Sequence, residues 1–260
     1  MVWGNPLPQS AKKCIASWRK FLPDYEIKEW NESNFDVNII PYTAAAYKAK
    51  KYAFVSDYAR FWILYRYGGL YFDTDVEVLK HMDSFIADGP FMGSEFDGID
   101  GLQYPRVAAG LGLGAYPEMK FYKEIMKAYT LVESGPEGLH RSDGKKQETV
   151  VDFVTNVLID RGLQKTAAIQ DIEGIRIYPV EYMCPKNYLT SKVTITDRTL
   201  TIHHYDSSWW KAEDLMALNL RRTLHLPSTL FWSRVTKFLS LTYLKGPVTA
   251  MRLIFKSVPH

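Results

Sequence analysis

Apolar positions recur at helical spacing through the first quarter of the chain, broken by short loops. Gly4, Pro6 and Pro8 mark residues 2–8 as a loop. Ser10 is then placed to cap a helix running to about Phe21, with Ile15, Trp18 and Leu22 as its apolar stripe. Pro23-Asp24 reads as a turn, and residues 25–30 alternate as a strand does. Residues 44–67 read as helical and stop at Gly68-Gly69. Leu70-Tyr71-Phe72 reads as a short buried strand that runs directly into Asp73-Thr74-Asp75. Farther on, residues 107–115 read as a glycine-rich strand, 117–132 and 148–161 as helices, and 175–180 and 199–204 as late strands. Strands alternating with helices predict an α/β architecture around a mixed, mostly parallel sheet.

The last fifty residues differ in character. Residues 211–260 carry eight Lys and Arg against Glu213 and Asp214, a net charge of +6, interleaved with Leu, Phe, Trp and Met. Such helices suit the surface of an anionic membrane, and a basic, solvated subdomain is the other reading. The expected division is a catalytic domain at 1–210 and a basic amphipathic helical extension at 211–260.

Composition narrows the field. A chain of 260 residues with 47% hydrophobic and 23% charged residues is neither disordered nor fibrous. Aromatic residues at 14% suit flat-faced ligands, and a net charge of +3 gives no argument for nucleic acid. Cys14 and Cys184 build neither a disulfide framework nor a metal cluster, so a reducing compartment is expected. No apolar run approaches the roughly 18 residues of a membrane span, and no signal-peptide pattern follows Met1. The expectation is a soluble or peripheral intracellular protein.

The chemistry centres on Tyr71-Phe72-Asp73-Thr74-Asp75. Alternate residues of an extended chain share a face, so Asp73 and Asp75 can converge on one cation, and two hard oxygen ligands favour Mg²⁺ or Mn²⁺. Asp-x-Asp alone is a weak signal. Upstream, Asp57 and Arg60 lie three apart on one helical face among Phe61, Trp62, Leu64 and Tyr65. Buried charges need a partner, and an Asp–Arg pair suits sugar hydroxyls and phosphate.

The joint pattern A-x-x-S-D-x-x-R…G-G-x-Y-x-D-x-D, from Ala53 to Asp75, resembles the sugar-binding DXD region of glycosyltransferase family 32. That group includes bacterial capsule and lipopolysaccharide transferases and is related to the glucosylating domain of clostridial toxins. Trp3-Gly4, the helix around Cys14 and Trp18, and Pro23 to Trp30 are similar to the family's opening, and the likeness spans about residues 3–210. The resemblance implies a GT-A (Rossmann-like) fold and a retaining transfer of a hexose, galactose or glucose, from a UDP-sugar with Mn²⁺ or Mg²⁺. It implies that Asp57 and Arg60 bind the donor sugar, that Asp73 touches ribose and sugar, that Asp75 ligates the metal, and that Tyr71 lines the cleft. Ile202 to Trp210 resembles the family's H-H-x-x-x-S-W segment. There His204 is the preferred further metal ligand with His203 behind it, and Ser207, Ser208 and Trp209 face the diphosphate. A saccharide acceptor, lipid-linked at the inner face of the cell membrane, completes the expectation, with surface-polysaccharide biosynthesis as the setting.

Two departures stand out. Family members open with an apolar strand before the Trp-Gly loop, so with Met1-Val2-Trp3 that strand is expected to be absent or supplied otherwise. No acceptor-side motif is recognisable at 110–155, and the glycines from Gly110 to Gly114 read as room for close approach. Three alternatives remain. A haloacid-dehalogenase-like phosphatase would use Asp73 as nucleophile and Asp75 as general acid, but lacks a paired-Asp loop. A glycoside hydrolase would need two carboxylates at least about 5 Å apart across a sugar. A non-catalytic sugar-nucleotide binder would keep the fold.

Overall fold

The computed structural model describes residues 3, 6–135, 138–141, 149–188, 190–206, 212–226 and 230–256. The chain forms two compact units: residues 1–185 with 194–204, and residues 186–193 with 205–260. The division falls a few residues before 210 and gives the short segment 186–193 to the second unit.

The first unit opens with helix α1 (Gln9–Phe21), which follows Pro8, so Ser10 lies inside its first turn rather than at its cap. Its buried positions are Ala11 and Cys14, with Leu22 buried just beyond its end and Ile15 and Trp18 partly buried, so the expected stripe lies on the buried face and Ala11 and Cys14 extend it. The expected helix at 44–67 is two helices, α2 (Pro41–Lys48) and α3 (Tyr52–Tyr67). Between them Lys50 takes a left-handed conformation (φ 57°) and the Lys51 amide bonds back to the Ala46 carbonyl, which ends the first helix. Residues 25–30 form no ladder; Trp30 instead packs its ring on Trp62 and Tyr67 of α3. Tertiary packing took over an alternation that resembled a strand.

Gly68 ends α3 at φ 65°, where a Cβ would stand 2.7 Å from Pro117. The chain then enters β1 (Gly69–Tyr71), β2 (Val76–Val78), α4 (Asp83–Ala87), β3 (Phe91–Phe96), β4 (Arg106–Ala115) and α5 (Lys120–Tyr129). A hairpin of β5 (Val132–Gly135) and β6 (Gly138–Arg141) precedes α6 (Val150–Ile159), which Thr149 caps by accepting the Asp152 amide. β7 (Gln170–Ile172), β8 (Ile175–Tyr178), α7 (Val180–Met183) and β9 (Thr201–His203) complete the unit.

The central sheet runs β1-β4-β3-β8-β7. It is mixed, as expected, but antiparallel rather than parallel pairing predominates: β3 and β8 pair parallel, and the other three pairs are antiparallel. The main core joins Phe61 and Leu64 of α3, Met92 of β3, Val107 and Leu113 of β4, Phe121 and Ile125 of α5, and Ile175 and Ile177 of β8. β1 is an edge strand and only half buried, while Phe72 just after it is buried. A separate ladder pairs β2 with β9, Val76 opposite His203. α1 closes the other side of β2: Trp18 Nε1 donates to the Val76 carbonyl (2.7 Å) and the Val78 amide donates to Ser17 Oγ (2.9 Å). The opening helix thus fixes the strand that leaves Asp75.

The second unit contains α8 (Ala212–Thr223), α9 (Leu230–Lys245) and α10 (Pro247–Lys256). Lys237 pairs with Asp214, and Lys245 with Glu213 at 2.9 Å. The Arg222 guanidinium donates to the Tyr188 carbonyl.

Candidate active site

The site is assembled by three chain segments of the first unit. α3 supplies Asp57 and Arg60, the exit from β1 supplies Tyr71, Asp73 and Asp75, and β9 supplies His203. The Arg60 side chain is only 5% exposed, yet it carries a full charge into this interior. Its Nη2 donates to Asp57 Oδ1 at 2.9 Å, its Nη1 stands 3.4 Å from Asp73 Oδ1, and its Nε donates to the Ser56 carbonyl at 3.0 Å. The guanidinium also lies 5.0 Å from the centre of the Tyr71 ring. Tyr71 Oη donates to Asp73 Oδ1 at 2.5 Å. The buried ion triad Asp57–Arg60–Asp73 therefore answers the demand that buried charge be paired.

Electrostatics follow from this packing. Burial pushes the Asp57 carboxyl up to about 6, with Arg60 opposing that rise and Asp73 adding to it. Burial works against the Arg60 charge, but Asp73, Tyr71 and Asp57 outweigh it and hold the guanidinium more firmly protonated than usual. Burial raises the Tyr71 phenol well above its ordinary value, so it remains a donor.

The β2–β9 ladder brings in the imidazole. The His204 amide donates to the Asp75 carbonyl at 2.9 Å, and His203 Nε2 sits 3.1 Å from Asp75 Oδ1. Burial lowers the basicity of His203, but the bond to Asp75 and the charges of Asp75, Asp73 and Glu95 more than reverse this. Asp73, Asp75 and His203 each present a ligand atom, all within 4.8 Å of one another. Two carboxylate oxygens and one imidazole nitrogen are a donor set that fits a divalent cation such as Mn²⁺. The geometry differs from the expected preference at one point: His203 joins this group, whereas His204 Nε2 turns to Glu77 Oε2 at 2.8 Å. Consecutive residues of a strand face opposite ways, so only one histidine can meet the aspartates. Ser207, Ser208 and Trp209 lie outside the described residues.

Three neighbours did not emerge from the sequence as site residues. Glu77 extends the alternation of Asp73 and Asp75 by one step, a period-two signal that is legible in retrospect. Glu95 lies next to the end of β3, where Arg106 holds it at 3.3 Å while also reaching Asp152 at 2.7 Å, and its charge is felt at His203. Gly110 lies in a stretch of β4 looped out of register with β3, between Ala108 and Leu113. Its carbonyl accepts the Asp73 amide at 3.0 Å, and a Cβ there would stand 2.1 Å from Asp73 Oδ2. The close approach read from the glycine run is thus an approach to Asp73.

At the start of the chain, the Trp3 indole is buried, with its Nε1 donating to Ser56 Oγ at 2.8 Å and its edge against Phe35. The phosphatase alternative finds no support here. β1 is an antiparallel edge strand, and Asp73 Oδ1 is already occupied by Tyr71 and faced by Arg60.

No curated protein and no solved structure matches the chain. Residues 8–92 do match a family model, the glycosyltransferase sugar-binding region containing the DXD motif. That segment carries Asp57, Arg60, Tyr71, Asp73 and Asp75, while His203 and Glu95 join them from outside it. With the carboxylate–imidazole group it surrounds, the match supports a glycosyltransferase whose DXD segment binds a sugar nucleotide.

Proposed function

We propose that this protein is a retaining, metal-dependent hexosyltransferase that takes its sugar from a UDP-linked donor. The observation that carries the reading is the convergence of Asp73, Asp75 and His203 beside the buried Asp57–Arg60 pair. A divalent cation held by these three groups would neutralise charge on the departing diphosphate. Tyr71 and Arg60 fix the Asp73 carboxylate, leaving its second oxygen for ligand. Arg60, spent on two carboxylates, acts chiefly through them, and Asp57 and Asp73 present the hydrogen-bonding edge to the sugar. Asp75 is held in turn by His203 and by the ladder beneath it. In a front-face transfer the leaving phosphate assists the acceptor hydroxyl, so none of these residues needs to serve as a nucleophile. Ser207, Ser208 and Trp209 are proposed to face the diphosphate.

The proposed acceptor is a lipid-linked saccharide in surface-polysaccharide assembly, reached from the cytoplasmic face of the membrane with residues 211–260 against anionic lipid. Calorimetric titration of UDP, GDP and CMP, with and without Mn²⁺, tests the core of this reading. Selective UDP binding that requires Mn²⁺ is expected and should vanish in Asp75→Ala. No nucleotide binding would overturn it, and binding without turnover of any UDP-hexose would favour the non-catalytic alternative.

A further inference from the structure

Within the second unit, α9 is patterned inside out. Thr236 and Ser240 are both fully buried, while Tyr243 is 78% exposed and Leu239 and Leu244 also face solvent. The buried hydroxyls need nothing from neighbouring elements: Thr236 Oγ1 donates to the Trp232 carbonyl and Ser240 Oγ to the Thr236 carbonyl, each at 2.8 Å. Small residues that satisfy themselves let α9 pack closely beside buried Leu241, while Leu239, Tyr243 and Leu244 are left outside. The pattern continues across the turn at Gly246 and Pro247 into α10, where Val248 is 75% exposed and Met251 is exposed too, while Ala250 is buried.

Leu239 and Tyr243 are four apart and Val248 and Met251 three apart, so each pair shares a helix face. A run of large apolar residues this exposed marks a surface meant for a phase or partner other than water. Charge selects between these. Residues 212–256 carry seven Lys and Arg against two acids, and those acids, Glu213 and Asp214, are committed to Lys245 and Lys237. Arg234 stands exposed on the same helix. An excess of cations interleaved in sequence with Tyr, Leu and Met is the composition of an interfacial helix on anionic lipid. Among the described residues no helix is long and apolar enough to cross a membrane.

We propose that Leu239, Tyr243 and Leu244 of α9, with Val248 and Met251 of α10, form a docking ridge that inserts among the headgroups of an anionic phospholipid surface. This deepens the reading of the carboxyl-terminal segment given above by moving the contact from charge alone to a defined apolar ridge.

The test is flotation of the full chain with phosphatidylglycerol-containing and pure phosphatidylcholine vesicles. The full chain should float with the anionic vesicles and be partly released by salt. The variant L239S/Y243S/V248S/M251S, altered only at exposed positions, should partition roughly tenfold less or weaker. The milder pair Y243S/V248S, with its helicity checked by circular dichroism, should fall between and guards against misfolding. Equal flotation of these variants and the parent would overturn the ridge, as would failure of the parent to float. Concentration-dependent dimerisation that the variants abolish, without vesicle binding, would assign the ridge to a second copy and overturn the proposal. Asp75→Ala should float like the parent. Flotation without UDP binding would thus sink the transferase reading alone, and UDP binding without flotation would sink the ridge alone.

Discussion

Two sixteen-residue helices of this protein treat their polar groups in opposite ways. α3 buries a guanidinium and balances it with carboxylates, one from its own helix and one from the strand exit beyond it. α9 buries the Thr236 and Ser240 hydroxyls, which bond to their own helix, and turns Leu239, Tyr243 and Leu244 outward while Leu241 is buried. The first arrangement couples distant residues and builds a site. The second keeps those hydroxyls within one helix, which meets α8 through Lys237–Asp214 and Lys245–Glu213, and leaves part of its apolar surface for something else. A buried polar group therefore means chemistry only where its partners come from other elements.

The sharpest way to break this contrast is to remove the charge that α3 buries. Arg60→Met leaves Asp57 and Asp73 facing each other without compensation, and a loss of roughly 3–5 kcal/mol in unfolding stability is expected in chemical denaturation. A loss below about 1 kcal/mol would show that the triad is not coupled as its geometry indicates.

Gly110→Ala probes the same coupling from below. A Cβ placed 2.1 Å from Asp73 Oδ2 must displace the carboxylate. On the proposed function, metal-dependent UDP affinity should fall at least about tenfold, or about 1.4 kcal/mol, while the sheet survives. Unchanged affinity in titration calorimetry would mean that Asp73 does not contact the ligand.

The pH dependence of stability isolates Asp57. Its folded carboxyl is raised to about 6 from 3.8, so in the folded state it holds its proton to higher pH than in the unfolded chain. The resulting stabilisation is complete below about pH 4 and is lost as pH rises through 6, of order 3 kcal/mol for a two-unit shift. Asp57→Asn should remove that slope, measured as the difference between variant and parent from pH 4 to 7. A slope shared by both proteins would place its origin elsewhere.

The smallest effect belongs to α9. Ser240→Ala removes a hydroxyl whose only role is to bond the preceding turn, so stability should change by no more than about 1 kcal/mol. A larger loss would show that the hydroxyl has a partner beyond its own helix and would erase the contrast.

The positions of Asp57, Arg60, Tyr71, Asp73 and Asp75 were legible because local spacing decides them. Three residues along a helix and two along a strand each place side chains on one face, whatever the rest of the chain does. His203 was legible only as one of an adjacent pair. The choice between it and His204 depends on the register of β9 against β2, and a slip of one residue exchanges them. Glu95 was not legible as a site residue, because nothing local distinguishes it from an ordinary charge, and Gly110 was legible only as one of a run of glycines that leaves room for close approach. Residues 25–30 misread as a strand for the converse reason, since the alternation was real but no strand lies beside it.

By itself, then, the sequence determined the α/β class, the helical tail and the DXD constellation, all of which arise from periodicities of two and 3.6 and from short-range sterics. Only the tertiary structure decided which histidine meets the aspartates, that Arg60 is buried between carboxylates, and that Leu239, Tyr243 and Leu244 of α9 face outward. Those facts depend on which surfaces are brought together over long separations, and no local pattern records the partner a side chain will meet.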